Sequence, residues 1–255
     1  DGTLIGSDTS ITAYSSEAPS GNVLVGSTNA FDGTLDALRF YARALTTTEV
    51  LANSQSGLIE FQTRTGATST PNDGTWEAWK TTSGTGDTQI DAVDSLSPVE
   101  KISQTSLTAY WKLDETSGTR ADSKGSNTLT DNATVTYAPG RLSNAGQFTA
   151  ANSEYLSITD NADLSTGDID FTVGGWVYMD STAAYAAISK YKPGTNQREY
   201  IINFDATNKL RFFVSSNGTD YTILNSTTSI STGTWVFVVA WHDATANTIN
   251  IQVNN

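Results

Sequence analysis

The 255 residues contain no cysteine and one histidine, His242. The first absence excludes disulfides and thiol chemistry. The second excludes a multi-histidine metal site and leaves a catalytic triad without a basis; His242 reads as a structural side chain beside a turn. Basic residues are few, 14 against 27 acidic ones, for a net charge of −13. Phosphate recognition needs clustered Lys and Arg, so nucleic acid is excluded as a partner class. No apolar run approaches the roughly 20 residues of a bilayer-spanning helix, which argues against membrane insertion, and no Gly-rich phosphate loop of the proper spacing occurs. What remains is a Ser-, Thr-, Asn- and Gly-rich polar fraction, 37% hydrophobic residues and only 16% charged ones. That balance fits a secreted β protein, or one that collects cations such as calcium.

Short alternating segments fill the second half of the chain. "EYLSIT", "FTVGGWVYM", "YIINF", "LRFFVSS", "YTILN", "WVFVVAWHD" and "TINIQV" follow one another between Glu154 and Val253, separated by turn residues. This spacing predicts an antiparallel sandwich. One helix signal stands out in "RALTTTEVLANSQSG". Thr46 and Glu49 have the spacing of a capping box, Leu45 and Val50 that of a hydrophobic staple, and Gly57 of a stop; one or two helical turns are expected. From about Gly57 to Gln104 the composition shifts. "GLIEFQTRTG" and "GTWEAWKTTSG" read as two strands of a small β unit too short to build a large core alone, with Trp76 and Trp79 as packing residues.

The stretch "LTAYWKLDETSGTRADSKGSN" resembles the opening of the laminin-G-like, concanavalin A-like jelly rolls of bacterial surface proteins and secreted enzymes. The resemblance continues through "PGRLSNAGQFTAANSEYLSITDNADLSTGDIDFTVGGWVYM" and the pair "WVFVVAWHDATANTINIQVNN". The family's closing segment is similar to "GSTNAFDGTLDALRFYARALTTTEVLA", which here stands at residues 26–52, ahead of the opening. The expected fold is therefore all-β: an antiparallel jelly-roll sandwich with a small extra β unit. Residues 1–56 would form the closing half, 57–105 the spacer, and 106–255 the opening and middle strands, in permuted or tandem-repeat order.

Catalysis is not expected. Glycosidases related to this family set two Glu and an Asp on one strand face; Asp168 and Asp170 in "GDIDFTV" have the spacing but no glutamate completes the set. The resemblance implies a structural Ca²⁺ instead, with Asp36 of "TLDALRFY" as first ligand, and Asp122 and Asp114 of the opening segment supplying further hard oxygens. Asp36 is in phase with Leu38 and Phe40, so alternation points it toward the core, where an unpaired carboxylate costs several kcal/mol. Its other reading is a turn cap, or a partner of Arg39 or Arg141. Sugar binding would use exposed aromatics, with Tyr178, Tyr185, Tyr191 and Tyr221 as the candidates in loops and strand ends.

Both ends of the chain read as arms of one hairpin. Ile249, Ile251 and Val253 alternate with polar residues, and "QVNN" joined to "DGTLIG" makes an Asn-Asp-Gly turn signal. Pairing of residues 1–10 with 248–255 is expected, with the arm coming from a neighbouring copy. Two function classes follow. One is a non-catalytic extracellular or cell-surface unit that assembles with copies of itself into a fibre or filament. The other is a monomeric carbohydrate-binding module, with glycans as partners.

Overall fold

The computed structural model describes residues 4–8, 21–26, 31–55, 62–63, 80–81, 105–141, 143–192 and 196–254. The chain divides into two compact units, Asp1–Ser54 together with Gln104–Asn255, and Gln55–Ser103. In the small unit, strands β4 (Gln62–Thr63) and β5 (Lys80–Thr81) pair antiparallel. Trp76 and Trp79 lie outside the described residues.

The large unit is a sandwich of two antiparallel sheets. Its first strands are β1 (Leu4–Asp8), β2 (Val23–Val25) and β3 (Gly33–Tyr41), followed by helix α1 (Thr47–Gln55). Past the small unit come β6 (Leu107–Trp111), β7 (Thr130–Asn132), β8 (Thr136–Pro139), β9 (Asn144–Phe148) and β10 (Tyr155–Ile158). Then follow β11 (Phe171–Met179), β12 (Tyr185–Lys192), β13 (Gln197–Phe204), β14 (Lys209–Val214), β15 (Thr222–Ser229), β16 (Trp235–Asp243) and β17 (Thr248–Val253). One sheet runs β1-β17-β16-β11-β3-β9-β8, with β6 also on β3; the other runs β15-β14-β13-β12-β2-β10-β7. The strands from before and after the small unit thus interleave: β3 sits between β11 and β9, and β2 between β12 and β10.

Alternation builds the core between the sheets. Ile249 and Ile251 of β17, Val236 and Val238 of β16, and Tyr200 and Ile202 of β13 all point inward and are buried. Phe171 stacks on Phe40 at 5.9 Å and meets Tyr200 at 5.5 Å, which joins the two sheets through one aromatic cluster. Burying side chains of this size contributes about 2–3 kcal/mol each. His242 belongs to this packing and not to a turn: it is fully buried in β16, 6.0 Å from Phe171, with Nδ1 2.9 Å from the Ile169 carbonyl.

The capping box forms as its spacing predicts. Glu49 N–H donates to Thr46 Oγ1 and Thr46 N–H donates back to Glu49 Oε2 at 3.0 Å. Arg43 also binds the Glu49 carboxylate. Leu45 and Val50 are both buried. The helix is nine residues long, two and a half turns at 3.6 residues per turn, somewhat longer than expected.

The two arms pair, but within the one chain. β1 lies antiparallel to β17, with Leu4 opposite Gln252, Gly6 opposite Ile251 and Asp8 opposite Ile249. The pairing of the first residues with 248–255 is thus the expected one, formed here inside a single chain. The physical reason is that the sandwich brings both strands to one sheet edge, where pairing carries no association cost.

Candidate binding cleft and the carboxylate positions

Asp36 does not point into the core. Leu35, Leu38 and Phe40 do, and the alternation between them is broken by a bulge. Ala37 takes a left-handed φ of 53°, and the register with β11 slips between Gly174 and Trp176. The extra residue turns Asp36 to the other face of the sheet, opposite Trp176. There it is buried, 3% exposed, and its Oδ2 accepts the Arg141 backbone N–H at 2.8 Å. The β8–β9 hairpin presses close: a Cβ on Gly140 would lie 2.8 Å from Asp36 Oδ2 and 2.7 Å from the Asn144 carbonyl, so only glycine fits. The Arg141 guanidinium lies 4.4 Å over the Trp176 ring, a cation–π contact on the same face.

Asp122 organises the loop after β6. Its Oδ1 accepts the N–H groups of Tyr110 and Lys124, both at 2.9 Å, and Oδ2 accepts that of Asn127 at 3.1 Å. Burial works to raise its pKa, and the N–H groups of Tyr110, Lys124, Gly125 and Asn127 outweigh that, holding the carboxyl below its usual range. Within the same loop Trp111 Nε1 donates to the Asn127 carbonyl at 2.6 Å. Asp114 is half-buried, and burial raises its carboxyl above the usual range. Its backbone carbonyl accepts Asn144 Nδ2 at 3.0 Å, which ties it to the strand beside Asp36. Among the described residues no group of three or more His, Cys, Asp or Glu is placed to hold a metal ion. Asp36 Oδ2 and both oxygens of Asp122 accept backbone N–H groups. Asp170 is likewise engaged, its Oδ1 accepting the Ala244 N–H at 2.7 Å.

A different arrangement occupies the outer face of the seven-stranded sheet. Antiparallel register aligns Leu24, Ser189, Ile201, Phe213 and Ile223 in one row across β2, β12, β13, β14 and β15. One pleat toward the β12–β13 hairpin, Tyr191 stands opposite Arg198. Tyr191, Phe213 and Tyr221 form a triangle of rings, with centroids 6.3 Å, 6.4 Å and 5.6 Å apart. The Arg198 guanidinium lies 5.6 Å from both tyrosine rings and donates to the Thr219 carbonyl. Arg211 lies 4.7 Å over Phe213. Burial pushes the Tyr191 phenol up, Arg198 opposing it.

Beside these rings a cleft of about 480 Å³ opens, lined among the described residues by Gly21, Asn22, Leu24, Tyr155, Tyr191, Lys192 and Gln197. Its size falls in the range of small-ligand sites. Tyr221, packed against Tyr191 outside the cleft's lining, is 47% exposed. The preceding loop holds it there: Asn217 Oδ1 accepts the Asp220 N–H, and Ser215 Oγ donates to the Asp220 carbonyl. Gly218, at φ 76°, lies so close to the Asn196 carbonyl that a Cβ would sit 2.1 Å from it, which fixes the loop against the β12–β13 hairpin. On the inner side of the same two strands, Lys190 Nζ binds Glu199 Oε1 at 2.9 Å, Asp160 Oδ1 at 3.0 Å and Ser165 Oγ at 2.6 Å. The buried Lys190–Glu199 pair joins β12 to β13 under Tyr191 and Arg198. On the outer face, Ser189 Oγ, Arg198 Nε, Asn203 Oδ1 and Arg211 Nε are buried without a hydrogen-bond partner.

Of the four tyrosines named from sequence, Tyr191 and Tyr221 meet here. Tyr178 packs on Trp235 at 5.6 Å on the other sheet, and Tyr185 is buried with its hydroxyl on Ser181 Oγ. Tyr155, Arg198 and Gln197 escaped notice. The signal that points to the last two is local: "YKPGTNQREY" is a hairpin carrying Tyr, Lys, Gln and Arg in a chain poor in cations.

The laminin-G family model described as the concanavalin A-like lectin/glucanases superfamily matches residues 150–254. The match takes in β10 through β17; the sandwich strands β1–β3 and β6–β9 fall outside it. Comparison with curated proteins and with solved structures gave no match.

Proposed function

We propose, for a chain whose sandwich is a laminin-G-like jelly roll of the concanavalin A-like type, that it is a non-catalytic extracellular binding module that takes a glycan in the cleft at Tyr155 and Tyr191. The observation that carries this reading is the cleft itself: about 480 Å³, with two tyrosines in its wall and a third ring, Tyr221, packed against Tyr191. Tyrosine faces pack on the apolar faces of sugar rings, and Asn22, Lys192 and Gln197 offer polar groups to hydroxyls. The carboxylates Asp36, Asp122 and Asp170 serve as acceptors for backbone N–H groups, which supports a structural role for them in place of acid–base work. The same geometry supports Asp36 and Asp122 as caps of their loops in place of the calcium ligands implied by the resemblance. No helix among the described residues is long and apolar enough to cross a membrane.

Assembly by strand exchange is the other reading. It would require β1 to leave β17, whose edge it already fills, so the chain is expected to run at the mass of one copy in light scattering. Isothermal titration against a panel of soluble oligosaccharides tests the binding reading. Heat from at least one sugar, lost in Tyr155→Ala and Tyr221→Ala, supports it; no heat from any sugar contradicts it.

A further inference from the structure

We propose that Lys190 condenses with the carboxyl group of Asp160 into an intramolecular isopeptide bond, with Glu199 as the catalytic proton carrier. The assignment stands apart from the glycan reading. Its first argument is placement. The Lys190 side chain is 1% exposed, and its Nζ meets oxygens of three side chains: Ser165 Oγ at 2.6 Å, Glu199 Oε1 at 2.9 Å and Asp160 Oδ1 at 3.0 Å. A bulge delivers the glutamate. Lys190 stands opposite Tyr200 and Tyr191 opposite Arg198, so Glu199 is the extra residue of β13. Burial holds its carboxyl above the usual range, with Lys190 opposing. Asp160 lies at the margin, 40% exposed, which leaves a released water a way out.

The second argument is chemical. An amine removed from water is a nucleophile once its extra proton is taken. Groups held in contact react at effective molarities of up to about 10⁵ to 10⁸ M, which offsets the poor equilibrium of condensation in water. Glu199 takes one proton from the Nζ ammonium, and the freed lone pair attacks Asp160 Cγ. One Asp160 oxygen then leaves as water, carrying that proton, handed on by Glu199, and a second from Nζ. The Nζ–Cγ bond forms and the Cγ–O bond breaks. A costly buried ion pair becomes a neutral amide, with no oxidant or reductant involved. The bond would also staple the sheet. β2 lies between β12 and β10, with Leu24 opposite Ser189 and Val23 opposite Ile158. Lys190 and Asp160 follow directly on those two flanking strands, so the amide joins them across β2.

Cyanogen bromide cleavage of the full chain tests the bond. Met179 is the only methionine and lies between Asp160 and Lys190, and without cysteine no disulfide can hold the two fragments together. The wild-type chain is expected to stay one species on a denaturing gel after cleavage, and its intact mass to be short by one water. Lys190→Gln, Asp160→Ala and Glu199→Gln should each separate into two fragments and show the full mass. Two fragments and the full mass from the wild type, even after days at neutral pH, would overturn the proposal and leave an ion pair. A missing water with two separate fragments places the loss elsewhere, as at an Asp-Gly succinimide, and overturns it equally. Linked fragments from Glu199→Gln would overturn the proton-carrying role and keep the bond. The deciding readout is taken on denatured wild type, so a variant that fails to fold does not rescue the idea.

Discussion

The loops around Asp36 and Asp122 and the cleft at Tyr191 are both polar regions at the margins of the same sandwich, and they differ in what their functional groups meet. At Asp122 both carboxylate oxygens are taken by backbone N–H groups. At Asp36 a bulge and a close glycine seat the carboxylate on the hairpin it caps. Beside the cleft, aromatic rings from several strands gather with the Arg198 and Arg211 guanidinium groups over them. A polar group satisfied from within its own loop stabilises the fold. Polar and aromatic side chains brought from several strands to one open cleft, as Tyr155, Tyr191 and Gln197 are, stand where something from outside can meet them. The contrast therefore separates residues whose loss costs stability from residues whose loss costs binding.

The sharpest way to break that contrast is Asp122→Ala. It strips several N–H groups of a charged acceptor and should cost about 3 kcal/mol in urea unfolding; a cost below about 1 kcal/mol would make the loop self-supporting. The same carboxylate sets an acid limit. Its folded pKa is depressed, so its contribution is present above the unfolded value of about 3.9 and is lost as pH falls through the lower folded value. Glu49, held at about 2 chiefly by Arg43, acts with the same sign from about pH 4.3 downward. Unfolding midpoints should therefore drop between about pH 5 and pH 2, and less steeply in Asp122→Asn.

Chelation comes next. If Asp36 and Asp122 cap their loops, Tm should be the same in EDTA and in millimolar Ca²⁺. A ligand that binds only the folded state raises Tm by mass action, so a rise that Asp36→Asn abolishes would restore the calcium site.

These expectations also mark how far the sequence could be read. Features written in adjacent residues were legible: the Thr46–Glu49 box, the alternation that sends Ile249 and Ile251 inward, and the jelly-roll order of strands. The face of Asp36 was not, because one extra residue at Ala37 reverses the alternation and bulges leave little trace in composition. Nor was the cleft. Asn22, Tyr155, Tyr191 and Gln197 come from β12, β13, β10 and the lead into β2, and only the sheet order brings them together. The pairing of the two ends was legible, because alternation and turn residues in both arms mark them as one hairpin.

Smaller effects sharpen the contrast further. Thr46→Ala removes an N-cap and should cost about 1 kcal/mol, with no change in sugar binding, because the helix contributes nothing to the cleft. Tyr221→Ala should do the reverse. Half-exposed beside Tyr191, it should cost less than about 0.5 kcal/mol in stability while weakening binding.

The most direct measurement is an amide chemical-shift titration of the ¹⁵N-labelled chain with each soluble oligosaccharide of the calorimetric panel. Saturable shifts grouped at Asn22, Leu24, Tyr155, Tyr191, Lys192 and Gln197, with the resonances of Tyr110, Lys124 and Asn127 unmoved, are the predicted result. Shifts centred on the Asp36 and Asp122 loops instead, or none at a saturating concentration, would contradict the assignment of binding to the cleft.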